Sequence, residues 1–380
     1  MSRRVIAWLV VVPWALWVIV RLLGAERGYP FVQLMAYTPY VLPLALAAGG
    51  VAALLRRWAP AAVAGVTAIV LAVLLVPRAT SDSAEARAGG PQLRVLTANL
   101  YIASVPPEAV VELVRRERVD LLALQELTPV YADALERAGI GELLPHRVVT
   151  PETGLFARRP LRPLSPFDGS RTDMAAAELQ MAGAPPVRAM SVHVAAPITA
   201  YYLDGWRDDL GALPAAPPSG PVQLLAGDFN ATLDHHALRD LIDRGYRDAA
   251  EAAGAGFDPT WHDHRAPPVT IDHVLVPERA GVLGVSVHDL PRWTTTRCWP
   301  WSRCPRRDEC RLMLLLGARG DIRRASVRVL AAGRGRRARL LRQRRDRQRA
   351  ARGLLEHRRR LVERARVELD QQVHDDLVLV

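Results

Sequence analysis

The hydrophobic and polar positions divide the chain into three zones. The first is almost wholly apolar. Val5–Leu23 carries one arginine, Arg21, near its end; Phe31–Leu55 is apolar with a few prolines and glycines; Ala61–Val76 is shorter and has no charge. Crossing a hydrocarbon core takes about 20 residues, which the first two stretches supply and the third reaches with its flanks. The pattern predicts three transmembrane helices in 1–76. A cleaved signal peptide would account for the first stretch only, and a buried helical hairpin is the soluble alternative for the other two. Residues 77–92 (PRATSDSAEARAGGPQ) are small and polar, the composition of a flexible linker.

From residue 93 short apolar runs alternate with turn signals. Strands are predicted at Leu93–Leu100, Val119–Leu124, Val187–Val194, Val222–Ala226 and Thr270–Val276, and a helix at Pro107–Glu117. Each strand has a polar group near one end: Asn99, Glu126, His193, Asp228 with Asn230, and Asp272. Singly these are ordinary. An Asn after a strand is usually a turn residue, Glu126 alone would be a solvated charge, His193 a core histidine, Asp272 a strand-end cap. Five such strands can bring the groups to one rim. His273 should point to the opposite face from Asp272. His235 and His236 are either substrate contacts or, more often for such residues, surface groups. Tyr201, Tyr202 and Trp206 lie in a Pro/Ala-rich region and would either meet lipid or cover the core.

Charge sharpens this division. The formal net charge is +11, and every basic residue is arginine, as expected from a GC-rich genome. From Trp299 onward 23 Arg stand against 10 acidic residues, a surplus of 13, so the rest of the chain is near −2 (11 − 13). The strand region is therefore not a basic nucleic-acid binder, and no protein partner can be inferred. Arg3 and Arg4 precede the first apolar stretch, Arg56 and Arg57 separate the second and third, and the loop with Glu26 and Arg27 is near neutral. The positive-inside rule then places the N-terminus in the cytoplasm and everything after Val76 outside the cell membrane. The three cysteines, Cys298, Cys304 and Cys310, all lie late in the chain. A cysteine-free region before them suits an oxidising space, and no CxxC pair marks a zinc site.

The runs TANLY (97–101), LLALQEL (121–127), SVHV (191–194), LLAGDFNAT (224–232) and TIDHVLV (270–276) resemble the endonuclease/exonuclease/phosphatase superfamily. The resemblance implies a four-layer α/β sandwich, two packed mixed β-sheets flanked by helices, here preceded by the three transmembrane helices. It also implies roles. Glu126 would hold Mg²⁺ or Mn²⁺, hard cations that prefer oxygen ligands, and Asn99 would support the metal or the phosphate. His193 would donate to a phosphoryl oxygen, Asp228 would orient the attacking water, Asn230 would bind a phosphate oxygen, and Asp272 would fix the tautomer of a catalytic histidine. Arg158, in GLFARRP, is a candidate phosphate contact. Three helices ahead of such a domain resemble the membrane-anchored actinobacterial branch linked to teicoplanin-type (vancomycin-class) glycopeptide resistance. That likeness implies a lipid-linked substrate such as undecaprenyl pyrophosphate. A membrane-tethered nuclease and a catalytically inactive product are the alternatives.

One expected motif is missing. The resemblance implies a last motif, Ser/Gly-Asp-His followed by apolar residues, about fifteen to thirty residues after IDHV. After His288-Asp289-Leu290-Pro291 the chain instead reads RWTTTRCWPWSRCP. With GC-rich codons, Arg292–Pro300 read two bases later spells Val-Asp-His-His-Ala-Val-Leu-Ala, which contains both the motif and its apolar strand. The catalytic region is thus read as 93–290 with its C-terminal strand motif missing. Residues 291–380 are read as an Arg-rich, disordered tail translated out of frame, which explains the arginine surplus and the cysteines together. A genuine basic helix over about 334–367, binding anionic lipid or nucleic acid, is the alternative.

Overall fold

The computed structural model describes residues 1–81, 91–165, 173–263 and 266–291, and the backbone of one further strand at 310–315. Most of the linker, the Asp-His break and the chain beyond 315 lie outside the described residues.

The N-terminal zone is helical. α1 (Arg3–Leu23) ends where Gly24 turns left-handed at φ 58° and the next N–H reaches back to Val20 O. The second apolar stretch does not form one helix. It makes a five-residue helix, α2 (Phe31–Met35), turns, and restarts as α3 (Thr38–Leu54), with Pro39 in the first turn, where its missing N–H costs nothing. Seventeen residues rise about 26 Å, short of a hydrocarbon core of about 30 Å. α4 (Trp58–Leu75) continues into a 3₁₀ turn at Val76–Ala79. So two helices, Arg3–Leu23 and Trp58–Ala79, are long and apolar enough to cross a membrane, rather than the expected three, with α3 a shorter companion. The three run up, down and up: Ala7 packs with Ala52 and Ala64 at one end, Val18 with Val41 and Leu75 at the other. Small residues let them approach closely; a Cβ on Gly49 would stand 3.1 Å from that of Ala64. The expected linker begins later than Pro77, because Arg78 is buried and Ser81 bridges to Ala253.

The rest is a sandwich of two six-stranded mixed sheets. The first sheet holds β1 (Val95–Asn99), β2 (Leu121–Gln125), β3 (His146–Val149) and β4 (Thr153–Ala157). Over it pack α5 (Pro107–Arg116), α6 (Pro129–Arg137) and α7 (Ile140–Leu143). The second sheet holds β5 (Leu161–Pro163), β6 (Ala176–Leu179), β7 (Val187–His193), β8 (Val222–Asp228), β9 (Tyr246–Asp248) and β12 (Asp272–Pro277), covered by α8 (Ala200–Ala212) and α9 (His236–Ile242). Between β9 and β12 come the short α10 (Ala249–Ala252) and the hairpin of β10 (Trp261–Asp263) and β11 (Ala266–Val269).

Alternation along each strand builds the layers. Leu121 and Ala123 face the second sheet, while Leu122 and Leu124 face the helices. In the second sheet Leu224 and Ala226 face inward and Leu225 faces α8 and α9. Strands buried on both faces read as unbroken apolar runs, as these do.

The tail expected to be disordered contributes one element. β14 (Cys310–Leu315) pairs antiparallel with β1 and with β13 (Val285–Leu290), so it fills the place between them in the first sheet. The remainder of that tail lies outside the described residues.

Candidate active site

Strand direction brings the polar ends together. β1 and β2 run parallel with Asn99 opposite Gln125, which places Asn99 and Glu126 at one edge of the first sheet. In the second sheet β7 and β8 are parallel with His193 opposite Asp228. β12 is antiparallel to β8 with Asp272 opposite Asp228, so the start of β12 meets the end of β8. Three neighbouring strands therefore present His193, Asp228 and Asp272 in one row. The close approach of β7 and β8 requires Gly227, since a Cβ there would lie 1.9 Å from Val192 O.

The two edges meet through Asn99. Its amide Nδ2 donates to Glu126 Oε1 at 2.9 Å and to Asp228 Oδ2 at 3.0 Å, while its Oδ1 accepts from the Tyr101 N–H at 2.8 Å. Glu126 Oε2 accepts the Ile102 N–H at 2.5 Å. Tyr101, Ile102 and Ala103 are left-handed, with φ of 47°, 52° and 59°, as are Glu126 at 54° and Asn230 at 46°. Side chains pay in strain for such a conformation, about 1–3 kcal/mol each, and here it aims backbone donors at the carboxylates. His193 Nε2 stands 3.9 Å from Glu126 Oε1. Asp228 Oδ1 accepts the Asn230 N–H at 2.8 Å, and one Asn230 amide hydrogen goes to Val194 O at 3.0 Å, leaving its second.

Burial raises the Asp228 carboxyl above its ordinary range, against the opposing pull of His193, the Asn230 N–H and Asn99. Burial and then the neighbouring Asp228 push Asp272 well above that range. Its backbone N–H donates to Thr260 Oγ1 at 3.0 Å. Mutual repulsion among buried carboxylates is relieved by a cation. Among the described residues no group of three His, Cys, Asp or Glu side chains is spaced as a closed metal cage. Magnesium does not need one: it is held by one or two carboxylates and keeps its waters. Glu126, with Asn99 and Asp228 beside it, fits that demand.

The structure brings together Asn99, Glu126, His193, Asp228, Asn230 and Asp272. It does not bring Arg158. β4 runs antiparallel to β2 with Ala157 opposite Leu121 and Thr153 opposite Gln125, so Arg158 lies at the far end of the sheet. There it binds Val119 O at 3.0 Å and pairs with Asp120 at 3.4 Å. Among the described residues no histidine bonds to Asp272, and the sequence segment expected to supply one lies outside them. His273 faces away, as predicted, and is buried between Asp248 at 2.9 Å and Ala231 O at 2.8 Å. His235 is neither surface nor substrate contact: it is buried, accepts the Thr232 N–H at Nδ1 and lies 2.8 Å from Val32 O through Nε2. Burial lowers its pKa, so it is neutral and carries its proton on Nε2, donated to Val32 O. His236 is exposed beside Asp240. Trp206 covers the core, while Tyr201 and Tyr202 are exposed.

Sequence reasoning missed Gln125. It is fully buried, and its amide donates to Thr97 and, at 2.9 Å, to Ser191 of the other sheet, pinning the two edges behind Glu126. A polar residue inside LLALQEL was the available signal.

The Endonuclease/Exonuclease/phosphatase family matches residues 96–302. No curated protein sequence matches the chain. Among solved structures, one similar to it is an endonuclease/exonuclease/phosphatase from Beutenbergia cavernae DSM 12333. It has 16% identity and a TM-score of 0.42, over 60% of this chain and 72% of that one. Sphingomyelinase C from Streptomyces griseocarneus has 15% identity and a TM-score of 0.40, over 60% and 99%. TDP2 of D. rerio, solved with a single-strand DNA product, has 15% identity and a TM-score of 0.43, over 58% and 97%.

Proposed function

This chain belongs to the endonuclease/exonuclease/phosphatase family, whose members are phosphoric ester hydrolases, and on that premise we propose that it is a membrane-anchored, metal-dependent phosphoesterase acting on a lipid-linked phosphate or pyrophosphate. The observation that carries the chemistry is the Glu126–Asn99–Asp228 bridge, which joins acidic groups of both sheets at one edge. Family members are generally divalent-metal dependent. A Mg²⁺ or Mn²⁺ ion held by Glu126, with Asn99 in support, would supply positive charge to the phosphoryl oxygens. Phosphoryl transfer needs little more than positioning and charge stabilisation. Asp228 orients the attacking water and takes its proton. His193 and the second Asn230 amide hydrogen donate to phosphoryl oxygens as charge builds on them.

The apolar helices support the anchor. Leu9, Leu16, Ile19, Val66, Ile69 and Val73 are exposed on α1 and α4, a surface suited to lipid rather than water. The exposed Arg3, Arg4, Arg56 and Arg57 share one end of the bundle, opposite the sandwich, which agrees with a cytoplasmic N-terminus and an extracytoplasmic site. An anchored site beside a bilayer favours a lipid head group over a soluble polyanion, and the sandwich, with 17 Arg against 26 acidic residues over 93–291 (17 − 26 = −9), offers DNA little attraction. The test is a comparison of rates by the purified full-length chain with Mg²⁺. Undecaprenyl pyrophosphate should be hydrolysed faster than DNA; faster DNA cleavage would replace this reading with a tethered nuclease.

A second reading, a catalytically inactive out-of-frame product, is favoured by one observation: after Pro291 the chain reads RWTTTRCWPWSRCP, with no Asp-His. Turnover absent from this chain and restored by correcting the frame would establish it.

A further inference from the structure

The sandwich is clamped to the helices at its catalytic edge. Asp234, fully buried and four residues after Asn230, receives both nitrogens of the Arg78 fork at 2.8 Å and Arg21 Nε at 3.1 Å. Arg21 closes α1 and Arg78 follows α4, so one carboxylate holds the ends of both long helices. The loop after His193 is gripped as well, with Gln33 of α2 donating to Pro197 O. On the third side, before Asp272, Tyr40 Oη donates to Pro268 O at 2.7 Å and Gly256 N–H to Arg78 O at 3.0 Å. Val32 of α2 enters the same apolar core as Val192, Val194 and Phe229. The fit is tight: a Cβ on Gly24 would strike the His236 ring at 2.6 Å.

The loops that adjoin His193, Asp228 with Asn230, and Asp272 are thus all held at one end of the helix bundle. Beside them large apolar side chains stay exposed: Tyr101, Ile102, Ile198, Tyr201, Tyr202 and Phe257. Tyr101 and Ile102 also give their N–H groups to Asn99 and Glu126, so this rim borders the carboxylates.

We infer that the bundle presents the catalytic edge to the bilayer it spans, so that the substrate is a lipid whose phosphate lies at head-group depth in that same membrane and whose chain meets the apolar rim, with Asp234 as the positioning residue. This rests on the proposed membrane-anchored phosphoesterase. A soluble ester reaches such an edge from water whatever the edge's orientation, whereas an embedded lipid reaches it only while the clamp holds.

The test uses the full-length chain, with Cys298, Cys304 and Cys310 changed to Ser, in phosphatidylglycerol–phosphatidylethanolamine vesicles. A fluorophore placed by Ile198→Cys should be quenched by lipids carrying a head-group nitroxide and shielded from an aqueous nickel chelate. One placed by Arg115→Cys on α5 should show the reverse. An Ile198→Cys label as open to the chelate as that at 115 overturns the inference. In Asp234→Asn, hydrolysis of undecaprenyl pyrophosphate in the vesicle should fall at least about tenfold, while hydrolysis of dissolved bis(p-nitrophenyl) phosphate changes by less than about twofold. Parallel loss on both substrates would mean a merely structural role and also overturn it. No turnover on either would count against the hydrolase reading alone, because the labels report depth without catalysis.

Discussion

Asn99, at the end of β1, donates to Asp228, at the end of β8, across the seam between the two sheets at 3.0 Å, and the same amide nitrogen serves Glu126 at 2.9 Å. One neutral side chain therefore spaces two carboxylates whose like charge would drive them apart. Asn99→Ala removes both hydrogen bonds and lets the two carboxylates shift, which should lower kcat/KM by about 10²-fold, the cost of a small misplacement. Asn99→Asp adds a third negative charge and should do more harm. Steady-state kinetics at saturating Mg²⁺ measure both.

Gly227 sets the spacing of the catalytic row. In Gly227→Ala the new methyl would press on Val192 O, and β8 must move away from β7, carrying Asp228 from His193. The overpacking should cost about 1–3 kcal/mol of stability. The activity loss should exceed what the unfolded fraction explains, since small misplacements weaken catalysis strongly. Thermal melts beside kcat separate the two effects.

The row of polar strand ends was legible from the chain alone, because each stands where an apolar run stops: Asn99 after LRVLTA, Glu126 after LLALQ, Asp228 after VQLLAG. What was hidden depends on pairing direction. Arg158 stands beside an apolar run as the others do, but antiparallel pairing with β2 sends it to the wrong end. The buried roles of His235 and Asp234 were invisible because Val32, Arg21 and Arg78 lie far away in sequence, and nothing local marks either residue as a hinge between helices and sandwich. The second span misled because composition ignores where a helix restarts; Pro39 shortened it to α3.

The clamp should give the protein an acid limb. Burial works against the Asp234 carboxylate, but Arg78 and Arg21 outweigh it and hold the pKa below the ordinary 3.8. A depressed folded-state pKa stabilises above the unfolded value and is lost as pH falls through the folded one. Below about pH 3.8, stability contributed by Asp234 should therefore decline. Asp234→Asn should flatten that limb and, by leaving buried arginines without their anion, cost about 3–5 kcal/mol at neutral pH. Denaturant melts between pH 3 and 7 would show both.

The break after Leu290 makes a prediction about nucleic acid rather than protein. Sequencing across codons 290–300 should reveal Val-Asp-His-His-Ala-Val-Leu-Ala two bases out of the present frame. Codons that encode Arg292–Pro300 and spell no Asp-His in another frame would leave the basic tail genuine. In the fold, the place between β13 and β1 is taken by Cys310–Leu315, which is where a restored strand would have to pair.

The most direct measurement is phosphate release from undecaprenyl pyrophosphate in vesicles, by this chain and by one with the frame restored, with and without EDTA. Hydrolysis at the Glu126–Asp228 edge predicts release that needs Mg²⁺ or Mn²⁺, stops with EDTA, and falls by at least about 10²–10³-fold in Glu126→Ala and in Asp228→Ala. Release that survives EDTA or either substitution, or no release from both chains, would contradict it.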